Sequence, residues 1–240
     1  MGVSMKRLCS VCARGGSKGV PNKNLRPLAG RPLIAHTVMQ AAATGLFDEI
    51  AVSSDSEAIL KAALEAGASR AILRPAELAS DTVDKSPAIV HCGQEVERLT
   101  GLRFDSFFDL DATAPLRTPE HIREAVALLE DSKATNIYSV CPARRSPYFN
   151  LVETGPDGVP RLCKPMDPPI VRRQDAPPTF DMNASIYGWS RAAFFEAGAP
   201  VHMDGTRLYV MPDWTLFDID SEFDFEIVEI LMERLAGRGD

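Results

Sequence analysis

The sequence lacks the long apolar runs and the basic excess that mark several large classes of protein. No apolar run reaches the ~18 residues of a membrane-spanning helix, and Met1 to Lys6 do not form a signal-peptide pattern. Lys and Arg total 26 against 33 Asp and Glu, and the resulting net charge of −7 argues against general nucleic-acid binding through a basic surface. We therefore expect a cytoplasmic globular protein with no membrane or nucleic-acid partner.

A disulfide framework and a zinc site are also missing from the pattern. The five cysteines are an odd number, which favours reduced thiols. Cys9 and Cys12 form a C-x-x-C, but they lie in an apolar segment that predicts a buried strand, in which residues three apart point to opposite faces. The four histidines are scattered without ligand spacing. We predict neither a redox pair nor a bound zinc ion.

Short apolar strands alternate with capped amphipathic helices, which predicts an α/β fold with a mostly parallel sheet covered on both faces. From Pro142 to Asp181 the sequence is rich in proline and has no helical period, although 148–152 and 159–163 predict a hairpin. We interpret the chain as one domain, 1–240, with an inserted arm at about 142–182. The predicted strands are 8–13, 49–53, 106–110, 136–140, 184–189, 208–211 and 216–219, and the predicted helices are 31–44, 56–66, 86–99, 118–130, 190–197 and one that starts at 221.

The first predicted strand runs into a loop, 14–24, that combines three glycines with the cations Arg14, Lys18 and Lys23. Ligands of open α/β sheets bind at this end of a strand, glycines let backbone N–H groups approach an anion, and cations neutralise it. The loop matches neither a Walker A sequence nor a dinucleotide fingerprint. The pattern favours a phosphate site, with a solvated basic loop as the alternative.

Near the other end of the sequence, Asp218 and Asp220 lie two residues apart in a predicted strand. Both carboxylates then face one side and can share a hard cation such as Mg²⁺, which proteins hold with one or two carboxylates plus substrate phosphates. The alternative is that Asp220 precedes a helix N-terminus, where an acid is favoured by the dipole.

Five segments in order resemble motifs of the CMP-sialic acid synthetases, or acylneuraminate cytidylyltransferases, and cover nearly the whole chain. They are 13–24 (A-R-x-x-S-K-G-x-x-x-K-N), 74–82 (beside the cytosine), 115–118 (the end of Q-P-T-S-P-L-R-T), 183–187 (similar to N-G-A-I-Y) and 218–220 (D-I-D). The resemblance implies a Rossmann-like nucleotidyltransferase fold and an enzyme that joins CTP to a nine-carbon 2-keto-3-deoxy sugar acid, releasing pyrophosphate.

The resemblance also implies roles for individual residues. Arg14, Ser17, Lys18 and Lys23 are expected to hold the triphosphate, with Asn24 and Arg74 at the nucleoside end. Asp218 and Asp220 are expected to bind Mg²⁺ or Mn²⁺, and the catalytic set is Lys23, Arg14 and Asp220. No residue is identifiable as the general base, so a metal-bound hydroxide and a side chain both remain open.

Departures from the family pattern concern the sugar. Asp111 stands where the family has a sugar-contacting Gln, and an ionised acid accepts hydrogen bonds but cannot donate them. A bacterial nonulosonic acid other than N-acetylneuraminate, such as an acid of the legionaminic type, is therefore expected. The sugar-binding residues implied are Asp111, Arg173, Asn183 and Tyr187. Arg173 is expected to reach the partner's site in a homodimer, because adjacent guanidiniums at 172 and 173 call for a nearby anion such as a sugar carboxylate.

Three other functions fit part of the pattern. A nucleotidyltransferase for Kdo or a sugar 1-phosphate would share the loop and the metal acids, although the Kdo enzymes have a different loop sequence. An NAD-dependent oxidoreductase would share the α/β alternation but requires the missing G-x-G-x-x-G. A catalytically silent sugar-nucleotide-binding protein is disfavoured because the cations and the metal acids are all present.

Overall fold

The structure is a computed structural model that describes residues 5–17, 19–79 and 84–236. Lys18, predicted to bind the nucleotide, and residues 80–82 of the second family motif lie outside the described residues. The strands are β1 (Arg7–Cys12), β2 (Pro27–Leu28), β3 (Arg31–Pro32), β4 (Glu49–Ser54), β5 (Arg70–Leu73), β6 (Ser106–Leu110), β7 (Asn136–Pro142), β8 (Val152–Thr154), β9 (Pro160–Leu162), β10 (Phe180–Ser190) and β11 (Arg207–Val210). The helices are α1 (Leu33–Thr44), α2 (Glu57–Glu65), α3 (Lys85–Thr100), α4 (Pro119–Asp131), α5 (Arg191–Phe195) and α6 (Glu222–Ala236).

Seven strands form one sheet in the order β11-β7-β10-β6-β1-β4-β5. All neighbours pair in parallel except β10, which runs antiparallel to β6 and β7. Apolar residues that recur along these strands are buried on both faces, as the near-continuous apolar strand sequences require. The predicted α/β architecture, with a mostly parallel sheet between helices, is confirmed.

Two hydrophobic clusters cover the opposite faces of this sheet. One joins the sheet to α1 and α4 through residues such as Ile34 and Ile122, and the other joins it to α3 and α5 through Ile89 and Phe194. Cys9 belongs to the first cluster and Cys12 to the second. The C-x-x-C thiols therefore lie on opposite faces of β1, as predicted, and burial raises the pKa of Cys12 to about 12.

A third cluster fixes the loop after β1 against the C-terminal part of the chain. Val20 and Leu28 pack there with Ile219, Phe225 and Val228. Residues more than 190 positions apart in the sequence are thus held together by burial of apolar surface. This cluster brings the segment 218–220 beside the loop 14–24.

The strand predicted at 216–219 is wrong. Asp213–Leu216 form a turn of 3₁₀ helix, and the following residues are extended without belonging to a sheet. Among the described residues, the backbone N–H of Ile219 donates to the Thr113 carbonyl at 2.9 Å, which is a single bond and not the ladder of a strand. Without a neighbouring strand, alternating apolar residues pack as a loop. Strand β5, at the edge of the sheet, is not among the predicted elements.

The segment between β7 and β10 contains a short hairpin of β8 and β9, in which β9 lies within the strand predicted at 159–163, whereas β8 shares only Val152 with the strand predicted at 148–152. Residues 142–182 are all described, and none of them belongs to the three hydrophobic clusters. The helices of the described ranges include none that is long and apolar enough to cross a bilayer.

Candidate active site

A cleft of about 350 Å³ opens at the carboxyl ends of β1 and β6. Parallel strands place their following loops at one edge of the sheet, so residues distant in sequence meet there. Six residues predicted to bind nucleotide or sugar line this cleft, namely Arg14, Ser17, Lys23, Asn24, Arg74 and Asp111. The structure therefore brings together half of the predicted site residues from three separate parts of the chain.

The cationic end of the cleft is built by the loop after β1. The Lys23 ammonium is largely buried and donates to the Ile219 carbonyl, and it lies 3.4 Å from Oδ1 of Asp220. The Asn24 side chain donates from Nδ2 to the Arg14 carbonyl at 3.0 Å, whereas its buried Oδ1 has no hydrogen-bond partner among the described residues. Lys23 is thus fixed beside the predicted metal acids, and Asn24 presents a hydrogen-bond acceptor.

Arg74 follows β5 and is held by β4. Its Nη2 donates to the Ser53 carbonyl at 2.8 Å and its Nε to the Ser53 hydroxyl at 3.2 Å. The guanidinium is buried, so these bonds fix its direction rather than leaving it to solvent. Arg14, Lys23 and Arg74 together make this part of the cleft suited to an anion.

The loop and the metal-acid segment approach each other at Gly19. A Cβ placed on Gly19 would lie 1.9 Å from the Asp220 carbonyl oxygen, far inside normal contact. Only glycine permits this approach without movement of one of the two backbones. Gly19 therefore sets the spacing between the loop and Asp220.

Asp218 and Asp220 lie on this extended segment rather than on a strand. Asp218 is half-buried, and burial together with the Asp220 charge raises the pKa of its carboxyl above the usual value. Two carboxylates that destabilise each other's charge suit a hard divalent cation, which takes one or two protein carboxylates and completes its shell with phosphate oxygens and water. Among the described residues no group of three or more potential ligands occurs, so substrate oxygens would have to complete the coordination.

Asp111, at the carboxyl end of β6, has a cationic partner that the sequence analysis missed. The Lys85 ammonium lies 2.7 Å from Oδ2 of Asp109 and 2.9 Å from Oδ2 of Asp111. The Thr113 N–H and hydroxyl donate to Oδ1 of Asp111 at 2.9 and 3.0 Å. Burial opposes the charge on Asp111, but Lys85 and the Thr113 hydrogen bonds outweigh it and lower its pKa to about 2. No sequence pattern distinguishes Lys85 from a solvated lysine that begins a helix.

Arg117 is a second residue to which the sequence analysis gave no role. Its buried guanidinium donates to the carbonyls of Asp111 at 2.7 Å and Ser185 at 2.8 Å, and to the Thr37 hydroxyl at 2.6 Å. Burial lowers the pKa of Arg117 to about 10. These bonds connect the end of β6 with β10 and α1, and they hold the Asp111 backbone in place.

The remaining predicted sugar residues occupy different places. Tyr187 of β10 pairs in register with Asp109, and burial raises its pKa to about 12 while the Lys85 charge opposes that shift. Asn183 is buried, accepts from the Ser139 hydroxyl at 2.6 Å and donates to the Thr215 hydroxyl at 3.1 Å. The structure therefore places Tyr187 beside the cleft charges, but Asn183 does not line the cleft and its amide is engaged within the protein.

Arg173 lines another cavity, of about 520 Å³, that shares no lining residue with the cleft. Its Nη2 donates to the Ala143 carbonyl at 2.8 Å. Arg172 pairs with Asp175 at 2.8 Å, so the nearby anion expected for the adjacent guanidiniums is present at Arg172. The protein's own aspartate supplies that charge.

Comparison with known proteins shows what this chain is similar to. Residues 8–150 match the family model described as cytidylyltransferase. The chain is 42% identical to post-translational flagellin modification protein B of Campylobacter coli over 95% of both chains. It is 41% identical to CMP-N,N'-diacetyllegionaminic acid synthase of Campylobacter jejuni over 94% of both.

A solved structure of CMP:2-keto-3-deoxy-manno-octonic acid synthetase complexed with CTP has the same fold, with a TM-score of 0.70 over 95% of this chain and 99% of that one. At 17% sequence identity this likeness concerns the fold alone. The family match and the identities above settle the choice among the functions that the sequence left open. The chain belongs to the cytidylyltransferase family, among the enzymes that activate nonulosonic acids with CTP.

Proposed function

We propose that this cytidylyltransferase joins CTP to a nonulosonic acid of the N,N'-diacetyllegionaminic type, giving the CMP-sugar and pyrophosphate. The observation that carries the choice of sugar is the 41% identity, over 94% of both chains, to a synthase of that CMP-sugar. Asp111 in place of the glutamine of the sialic acid enzymes supports a sugar other than N-acetylneuraminate, because an ionised acid accepts hydrogen bonds and cannot donate them.

The proposed reaction is an in-line displacement at phosphorus. The anomeric hydroxyl gives its proton to a general base, its oxygen bonds to the α-phosphorus, the bond from that phosphorus to the bridging oxygen breaks, and pyrophosphate leaves. Arg14, Ser17 and Lys23 hold the triphosphate at the cationic end of the cleft. Their contribution is positioning and charge neutralisation, which dominate reactions of this kind. Asp111 is a poor general base, since its pKa is about 2.

Recognition of the base is assigned to the nucleoside end. The buried Asn24 Oδ1 has no hydrogen-bond partner within the described ranges, and Arg74 is fixed by Ser53. Cytosine carries an exocyclic amino group, a donor, where uracil has a carbonyl oxygen. An unpartnered buried acceptor therefore favours CTP over UTP.

Asp218 and Asp220 are proposed to hold Mg²⁺ or Mn²⁺. When bound, the ion would supply positive charge to the phosphate oxygens and to the departing pyrophosphate. The Lys23 ammonium lies 3.4 Å from Asp220 Oδ1, so it adds a positive charge beside these two acids.

The proposed assembly is a homodimer of single-domain chains in which the arm 142–182 of one chain reaches the sugar site of its partner. Arg173 supports this, because it lines a cavity separate from the cleft of its own chain. Exposed apolar residues of the arm, with Val171 at 83%, would gain cover in such a dimer. Mixing Arg173→Ala with Asp220→Asn protein should then restore activity in heterodimers that carry one intact site. Subunit exchange without any recovery would show that Arg173 does not act in trans.

The substrate is tested with purified protein, Mg²⁺ and a panel of sugar acids. Pyrophosphate release is measured with CTP and with UTP for N,N'-diacetyllegionaminate, pseudaminate, N-acetylneuraminate and Kdo. The highest kcat/KM is expected for CTP with N,N'-diacetyllegionaminate. A preference for any other acid would contradict the sugar assignment, and turnover with UTP at the rate for CTP would contradict the base assignment.

A further inference from the structure

Two charged side chains on the floor of the cleft leave hydrogen-bonding groups unused. Thr113 provides two donors to Oδ1 of Asp111, which fills both lone pairs of that oxygen. Oδ2 accepts from Lys85 and, among the described residues, keeps one lone pair. The Lys85 ammonium has three N–H bonds: it donates one to Asp111, and it forms an ion pair with Asp109 Oδ2 at 2.7 Å, so at least one N–H is left over among the described residues.

The unused lone pair and the unused N–H are neighbours. The Lys85 nitrogen and Asp111 Oδ2 are 2.9 Å apart, and both residues line the cleft. An ammonium donor and a carboxylate acceptor at this separation match a hydroxyl group, whose oxygen accepts one hydrogen bond while its O–H donates another. A secondary amide fits less well, because its N–H and C=O point in opposite directions.

The local charge decides which part of the substrates meets this pair. Asp84 and Asp111 line the cleft together with the single cation Lys85, and the buried Asp109 and Arg117 add one charge of each sign, so the net charge here is negative and unfavourable for a phosphate or a carboxylate. Those anions are favoured at the end with Arg14 and Lys23. A neutral, hydroxylated part of a ligand is favoured over the floor.

The position of Asp111 relative to the metal acids indicates the sugar rather than the nucleoside. Thr113 binds Asp111 with its N–H and accepts the Ile219 N–H at its carbonyl, 2.9 Å in each case. Two hydrogen bonds thus connect Asp111 with the segment that holds Asp218 and Asp220, beside which the sugar acid must meet the α-phosphorus. Asn24 and Arg74 mark the nucleoside end.

We propose that Lys85 and Asp111 hold one hydroxyl group of the sugar acid between them, Lys85 as donor and Asp111 as acceptor, so that Lys85 determines sugar specificity. This inference rests on the proposed function. The low pKa of Asp111 agrees with it, because such a carboxylate accepts a hydrogen bond without removing the proton. Lys85 is then a binding residue for the sugar, in addition to its contact with the buried Asp109.

The test separates sugar binding from charge balance inside the protein. Lys85→Met alone would leave Asp109 buried without its cation, so it is combined with Asp109→Asn, whose Oδ1 can still accept the Ser10 hydroxyl now at 2.7 Å. The KM values for sugar acid and for CTP are measured separately. Lys61→Met, on an exposed lysine of α2 that pairs with Glu65, is the matched control and should change neither.

The expected result for the double variant is a rise of about 10–100-fold in the KM for the sugar acid, with the KM for CTP within about twofold of wild type. A second panel contains sugar acids that each lack one hydroxyl group. The analogue that lacks the hydroxyl held by Lys85 and Asp111 should bind the wild type as weakly as the complete sugar acid binds the double variant. The double variant should bind this analogue and the complete sugar acid equally well.

Three results would overturn the inference. A folded double variant with an unchanged sugar KM would make Lys85 only a counter-ion for Asp109, and a rise confined to the KM for CTP would place Lys85 at the ribose. If the double variant fails to fold, Lys85→Arg keeps both ion pairs but moves the donor, and an unchanged sugar KM there is equally contrary. Failure of the proposed function is distinct, since the wild type would then form no CMP-sugar with any nonulosonic acid.

Discussion

Gly19→Ala tests whether the spacing between the loop after β1 and the metal-acid segment controls catalysis. The added Cβ would lie 1.9 Å from the Asp220 carbonyl oxygen and 3.1 Å from its carbon, whereas real Cβ contacts essentially never fall below 3.0 Å. The two backbones must therefore separate by roughly 1 Å. Since the φ of Gly19 lies outside the left-handed region, alanine adds a steric clash and no backbone strain.

The separation acts on both stability and turnover. Val20 and Ile219, the neighbours of the two clashing residues, are fully buried in the same hydrophobic cluster, so moving them apart resembles overpacking and costs about 1–3 kcal/mol. For a domain of this size the melting temperature then falls by roughly 2–12 °C. Misplacement of positioned groups by about 1 Å reduces turnover about 10²-fold.

The assay is pyrophosphate release at saturating CTP and sugar acid, together with thermal unfolding monitored by circular dichroism. Gly16→Ala is the control for unfolding, because a Cβ there meets no atom within 4 Å and should leave the melting temperature unchanged. Gly19→Ala protein with wild-type turnover and an unaltered melting temperature would refute the reasoning. The contact at Asp220 would then be adjustable and irrelevant to the reaction.

Three further substitutions test individual residues of the cleft. Asp220→Asn should lower turnover about 10²–10³-fold while the fold persists, because its side chain is 78% exposed and contributes little to the core; wild-type turnover would end its assignment as a metal ligand. Lys23→Ala should lower turnover and weaken CTP binding, since its ammonium is fixed at the cationic end, and unchanged kinetic constants for CTP would make it a structural residue. Asp111→Gln should shift the ranking of sugars toward N-acetylneuraminate; an unaltered ranking in an active variant would remove Asp111 from sugar selection.

Local sequence was sufficient to predict the elements whose ends are set by residues within the element or directly beside it. The strand predicted at 106–110 coincides with β6, because five consecutive residues are buried and the flanking residues end the pattern. The helix expected from 118 begins at Pro119 with Thr118 as its capping residue, since the cap bonds within its own first turn. The prediction of a strand at 216–219 is wrong because a strand requires a neighbouring strand with which it forms hydrogen bonds, and none of the described strands pairs with this segment.

Composition and local pattern were sufficient to predict the α/β class, the cationic loop with its glycines, and the acid pair Asp218 and Asp220. How these parts meet depends on the folded chain, because every contact between them joins residues far apart in the sequence. Lys85 acquires its role from two aspartates 24 and 26 residues away, on and just beyond another strand, and nothing in its own neighbourhood marks it. Asn183 matches a family motif, yet its amide is engaged by Ser139 and Thr215 in this fold. Burial and through-space charge decide such roles, and neither is a property of a local segment.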